Sequence, residues 1–230
     1  PGFSSAIIPH ITSAITKKDY KLVRKNITQC IDIVLYVATP VALCLALFSQ
    51  PLIAALFPPK DMTQVPAIAS ILAAFSLVAF VDTIQPILTS LLVSCGLRKK
   101  SVMIMVIQVV VKFSLSYFML VWFSYNGLVA STLISTGICI GMSIYQFIKN
   151  YGLKLKYTFR RFILILIACG LMSICTFVLF KLGLGYQMGD GRIMTFIKMG
   201  ISGLLSVGVY FGVTYCFGLP QLLLNIDLKK

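Results

Sequence analysis

Asp82, Gln85 and Thr89 recur at three- and four-residue steps within one apolar stretch, and Gln108, Lys112 and Ser116 do so in the next. At helical spacing each set falls on one face, so two polar stripes can face each other or together line a water-filled cavity. A carboxylate or an ammonium near the centre of a bilayer costs at least about 2.5 to 3.5 kcal/mol. Such a group therefore needs a partner or a wet path. Counting outward from the basic turn Leu97 to Ser101 places residue 112 opposite residue 85, with Asp82 and Lys112 about one helical turn apart in depth. Two readings follow, and they are not exclusive. In one, Asp82 and Lys112 form an ion pair that fixes the packing of a helical hairpin. In the other, Lys112 supplies positive potential to an anionic substrate path and Asp82 holds it in place.

Other chemistries find little support. All six acidic residues are Asp, so carboxylate chemistry built on Glu pairs is excluded within this segment. The seven cysteines lie in or at the ends of apolar stretches without a CxxC, and there is one histidine, His10. Neither a disulfide framework nor a metal site is indicated; the cysteines read as small buried hydrophobes. No serine, cysteine or histidine has a recognisable acid–base partner. The expectation is a protein that is not an enzyme and uses no cofactor. Gly183, Gly185, Gly189 and Gly191 are not followed by the GK[ST] of a phosphate cradle and read as an outer loop. Asp32, beside a basic connector, reads as an interfacial partner of Lys or Arg, not as a proton relay. Lys198 can snorkel to the outer interface.

The elements that position these groups follow from bulk composition. A chain of 230 residues that is 59% hydrophobic and 11% charged falls in the membrane class. Six apolar stretches, about Ile31–Phe57, Ala67–Cys95, Val102–Phe123, Gly127–Ile148, Phe162–Phe180 and Ile193–Phe217, can each cross ~30 Å of hydrocarbon as a helix. Runs this long lack the alternation of barrel strands. The expected fold is an all-α polytopic membrane bundle of six transmembrane helices, preceded by the end of another helix over Pro1–Thr16. Because that first segment is too short for a crossing and the chain begins at Pro1, it reads as a piece of a longer protein, with no signal peptide visible.

Positive charge fixes the expected topology. Lys17, Lys18, Lys21, Arg24 and Lys25 precede the first crossing; Arg98, Lys99 and Lys100 follow the second; Lys149, Lys154, Lys156, Arg160 and Arg161 follow the fourth; Lys229 and Lys230 close the chain. The alternate connectors hold only Lys60, Lys181 and Arg192. Short basic loops stay in the cytoplasm, so both ends of the segment are expected inside. The net charge of +14 is then explained by anionic lipid headgroups, and no nucleic-acid partner is expected.

Pro40 and Pro86 each remove a backbone N–H from a crossing and crowd the preceding turn. They are candidate hinges, with a static kink as the plainer reading. Small residues one turn apart, Gly127, Ser131 and Ser135, then Gly137 and Gly141, and Gly208 with Gly212, read as packing seams within the chain.

Ordered landmarks resemble the C-terminal half of the multidrug/oligosaccharidyl-lipid/polysaccharide flippase superfamily, in the branch that contains stage V sporulation protein B and the lipid II flippases. They are Pro9-His-Ile-Thr-Ser-Ala before Lys-Lys-Asp-Tyr and Arg24-Lys-Asn-Ile; Thr39-Pro40 in a helix ending Ser49-Gln-Pro-Leu-Ile-Ala-Ala-Leu-Phe57; the turn Ser94-Cys-Gly-Leu-Arg-Lys-Lys; Val111-Lys112; and Asn126-Gly127-Leu-Val-Ala-Ser. The resemblance implies that residues 1–150 belong to the second lobe of a two-lobed alternating-access transporter and that residues 151–230 form two additional helices. It further implies a bacterial cytoplasmic membrane location and export of an undecaprenyl-linked cell-wall or polysaccharide precursor, a lipid-linked oligosaccharide or other anionic lipid. A drug or cation antiporter of the same superfamily, a membrane-embedded transferase and a structural membrane protein are the alternatives. Lys112 matches a basic position of the family's second lobe, but the resemblance assigns it no substrate contact.

Overall fold

The computed structural model describes residue 15 and residues 20–56, 65–153, 155–185 and 192–219; side chains are described within these ranges except at 123–126, 155–156 and 192. The rest of the expected leading helix end, His10, Lys17, Lys18, Lys60, Gly189, Gly191 and the terminal lysines lie outside the described residues. Among those described, every regular element is helical: α1 (Tyr20–Leu47), α2 (Ser49–Leu56), α3 (Val65–Ser94), α4 (Arg98–Trp122), α5 (Gly127–Tyr151), α6 (Leu155–Leu179) and α7 (Arg192–Cys216). Six of them are long and apolar enough to cross a membrane. A π turn, Phe180–Leu184, extends α6.

The first crossing differs from its expected bounds of Ile31–Phe57. It starts at Tyr20 because Val23, Ile27 and Cys30 repeat at helical steps on the basic connector and are fully or almost fully buried. It ends at Leu47, yet i→i−4 bonds continue through Phe48, whose N–H meets the Cys44 carbonyl and whose carbonyl accepts from Leu52, each at 2.9 Å. Pro51 explains the break: it has no N–H to offer the Leu47 carbonyl. Pro40 and Pro86 both lie inside helices, α1 and α3.

The hairpin of α3 and α4 is closed by a Schellman cap. Gly96 adopts φ +77°, its N–H reaches the Val93 carbonyl at 3.1 Å, and the Leu97 N–H reaches Leu92 at 3.0 Å. Those bonds satisfy the last carbonyls of α3, and the left-handed backbone is cheap only for glycine. Leu97 packs against the same core as Leu91 and Leu92.

Helical backbone runs from Arg98 to Tyr151, but it folds back on itself. Ser116 and Ser131 hydroxyls lie 3.0 Å apart, whereas fifteen residues of straight helix would separate them by ~22 Å. At the fold-back a Cβ on Gly127 would run into the Met119 carbonyl, so the position requires glycine.

Two compact units divide the chain: residues 1–38 with 78–161, and residues 39–77 with 162–230. In the first, Val23, Ile27, Cys30 and Ile31 of α1 pack with Leu88, Leu91 and Leu92 of α3, Ile104 of α4, and Cys139 and Phe147 of α5. In the second, α2 packs on α7, Phe48 meets Phe180 edge to face at 5.4 Å, and the Thr176 hydroxyl of α6 donates to Ser206 of α7 at 2.8 Å.

The packing seams correct part of the sequence reading. Gly127, Ser131 and Ser135 are buried, and the row continues through Cys139, Ser143 and Phe147. Gly137 and Gly141 are exposed, as are Gly208 and Gly212, and a Cβ on any of the four would meet nothing within 4 Å. They sit two residues off the buried rows, about 200° around the helix. On α7 the buried row is Ser202, Ser206, Tyr210 and Thr214. Serine fills these seams because its hydroxyl can bond the carbonyl four residues back, as in Ser143 to Cys139 and Ser206 to Ser202, which leaves a small self-satisfied side chain.

Candidate functional site

In the first unit a polar ladder crosses three helices. Gln85 of α3 donates its amide to the Gln108 oxygen of α4 at 2.7 Å, and Gln108 donates in turn to the Thr136 hydroxyl of α5 at 3.4 Å. The contact between Ser116 and Ser131 adds a second rung between α4 and α5. These bonds satisfy neutral amides at membrane depth, where an unpaired polar group is expensive. Thr136, which the sequence pattern does not single out, lies on the inner face, whereas Ile134 and Ile138, two residues away on either side, are exposed.

The expected ion pair between Asp82 and Lys112 is absent. Both residues are exposed, and no salt bridge joins them. The register between the two helices also differs from the expected one. Arg98 to Ser101 belong to α4, so the reversal is centred on Gly96 instead of on the basic run. Gln85 consequently faces Gln108, one turn short of the expected Lys112. Carrying that register outward places Val111 level with Asp82, so orientation around the helix axes, not depth, keeps the charges apart. Asp82 lies ~18 Å along α3 from Ser94, and Lys112 ~21 Å along α4 from Arg98, at 1.5 Å per residue. Against ~30 Å of hydrocarbon these are membrane depths.

Asp32 behaves differently. It is 1% exposed and accepts from the Arg161 guanidinium, a basic partner of the kind its position suggested. Among the described residues, its second oxygen, Oδ1, and the buried hydroxyl of Thr158 have no hydrogen-bond partner.

Other basic residues in this unit serve helix ends. Arg24 donates from Nε to the Tyr151 carbonyl at 3.1 Å, where α5 ends and leaves carbonyls unsatisfied. Lys100 donates to Asn150 at 3.3 Å. The Tyr151 hydroxyl donates to the Cys95 carbonyl at 2.8 Å. Burial pushes the Cys95 thiol up to about 11, so it stays protonated and chemically quiet at neutral pH.

Among the described residues, this neutral ladder, with an exposed carboxylate and an exposed ammonium near it, brings no nucleophile together with a base. A profile of the lipid II flippase MurJ family matches residues 2–190. The chain belongs to that family. Lipid II flippase MurJ of Bacillus subtilis (strain 168) is 26% identical over 228 residues, covering 97% of this chain and 41% of the relative. A solved structure of lipid II flippase MurJ in an inward closed conformation shares the fold with TM-score 0.69 at 16% identity, over 96% of this chain and 44% of that one. The chain therefore spans less than half the length of these MurJ relatives.

Proposed function

We propose that this chain is the second half of a flippase that carries an undecaprenyl-linked, lipid II-like precursor across the bacterial cytoplasmic membrane by alternating access. The family match over residues 2–190 carries the proposal. In this reading the basic connectors and both ends of the segment are cytoplasmic, residues 1–150 contribute to the transporter lobe, and residues 151–230 supply two additional helices. Membrane lipids surround it, and no covalent bond is made or broken.

Physically, such a transporter must give a charged pyrophosphate–sugar headgroup a polar route while the tail stays in lipid. Lys112 and Asp82 stand unpaired on open faces of α4 and α3, with Gln85 and Gln108 beside them. Fixed positive potential from Lys112 attracts the pyrophosphate. Pro40 and Pro86 are the points at which helices bend as access alternates.

The decisive experiment is lipid II export by the full-length protein in cells depleted of their own flippase. Lys112→Ala is expected to impair export at normal protein abundance; normal export would remove Lys112 from the path, and failure of the unmodified protein to export would sink the transport reading. Cysteines placed at Lys99 and Gln187 should label from opposite faces of the membrane. Labelling from one face would overturn the topology.

A further inference from the structure

Beside the Gly96 turn lies a cleft of about 470 Å³ whose walls include Arg98, Ser90, Ser94, Ser101, Val93 and Met105. Its chemistry is specific. Arg98 is exposed, and among the described residues its side chain has no hydrogen bond or ion pair, so a guanidinium with five donors stands open. The serines offer the opposite. Ser90 donates its proton to the Pro86 carbonyl at 2.7 Å and Ser94 to the Ser90 carbonyl at 2.8 Å, which leaves oxygen lone pairs toward the cleft. Ser101 makes only a long bond, 3.5 Å, to the Thr89 carbonyl.

A fitting ligand must therefore present an anionic oxygen to Arg98 and, close by, hydrogens for the serine oxygens. A bare phosphate meets the first demand but carries only one or two P–O–H hydrogens at neutral pH, on the same small group that must face Arg98. A phosphodiester of a polyol meets both. The cleft also sits where two membrane spans end, at Ser94 and Arg98, and Val93 and Met105 in its walls are 40% and 45% exposed. That apolar strip suits an acyl chain.

We infer that the α3–α4 cleft holds the headgroup of an anionic glycerophospholipid whose alcohol carries free hydroxyls, its phosphate on Arg98 and its hydroxyls donating to Ser90 and Ser94. Such a lipid is a bound component of the bilayer, distinct from any transported molecule, and the inference stands apart from the flippase reading.

The test uses the full-length protein, stripped of lipid in detergent and titrated with phosphatidylglycerol, phosphatidylcholine or phosphatidic acid under native mass spectrometry. Phosphatidylglycerol should be retained selectively. Arg98→Gln should weaken its binding at least about tenfold, the scale of a charge-assisted hydrogen bond, whereas Lys149→Gln, which removes the same charge from another connector, should not. Ser90→Ala with Ser94→Ala should narrow the preference for phosphatidylglycerol over phosphatidic acid, which lacks the hydroxyls. Because Arg98 has no partner to lose, its variant should melt with the unmodified protein. Equal losses for Arg98→Gln and Lys149→Gln, or equal retention of phosphatidylglycerol and phosphatidylcholine, would overturn the site. Displacement of the lipid by glycerol 3-phosphate at comparable concentration would overturn the lipid assignment in favour of a soluble phosphate ester.

Discussion

Asp32 and Asp82 are both carboxylates within membrane-spanning helices, and the structure treats them in opposite ways. Asp32 is buried and locked to Arg161; Asp82 is exposed and shares no ion pair with Lys112, the cation on the neighbouring helix. A buried pair holds helices together, because separating it strands a charge in a medium that cannot solvate it. An exposed, unpaired charge holds nothing together and is available to something outside the fold. Location in the sequence does not separate the two cases. Partnership does.

The largest effect expected from this contrast is on stability. Asp32→Ala should lower resistance to thermal unfolding in detergent by about 1.5 to 3 kcal/mol, the range for losing a hydrogen bond to a charged group, because the Arg161 left behind is 27% exposed. The double variant Asp32→Leu with Arg161→Met should recover much of the loss. No recovery would mean that Asp32 serves more than the pair. Lys112→Ala is the opposite arm: unfolding should stay within about 0.5 kcal/mol of the unmodified protein, as for exposed groups without partners, while precursor export falls several-fold. A large stability loss there would erase the contrast.

Between these extremes lies the neutral ladder. Gln108→Leu removes the bonds to Gln85 and Thr136 and should cost ~0.6 to 1.7 kcal/mol, the range for side-chain hydrogen bonds between membrane helices. A loss as large as that of Asp32→Ala would show amides binding this unit as tightly as charges do. Smallest of all, Gly137→Ala and Gly208→Ala should be neutral or stabilising by up to ~1 kcal/mol, since each lies in a helix with open space at the missing Cβ. Destabilisation would return these glycines to a packing role.

The sequence made the long-range plan legible because hydropathy and charge alternate over whole spans, and six crossings and the membrane class follow from that alone. It also brought Gln85 and Gln108 onto facing helices and gave Asp32 a basic partner. What it misjudged was rotation and register. In a soluble helix the polar face marks the outside; here nearly every face is apolar, so nothing in the pattern tells the buried row of Ser202, Ser206 and Thr214 from the open row of Gly208 and Gly212. The register error at Lys112 came from centring the reversal on the charged run instead of on Gly96. A glycine one residue past the cap was the available signal.

The two tethers of α1 have a consequence for biosynthesis. Arg24 is fastened to Tyr151, 127 positions later, and Asp32 to Arg161, 129 positions later. A ribosome delivers the chain from its N-terminus, so when α1 is inserted neither anchor has yet been synthesised. Asp32 must wait in the nascent chain, hydrated or protonated, until the start of α6 emerges. Docking of α1 is thus completed only after α6 has begun to be made, and a ribosome stalled before the codon for Tyr151 would leave that span unmoored and open to quality control.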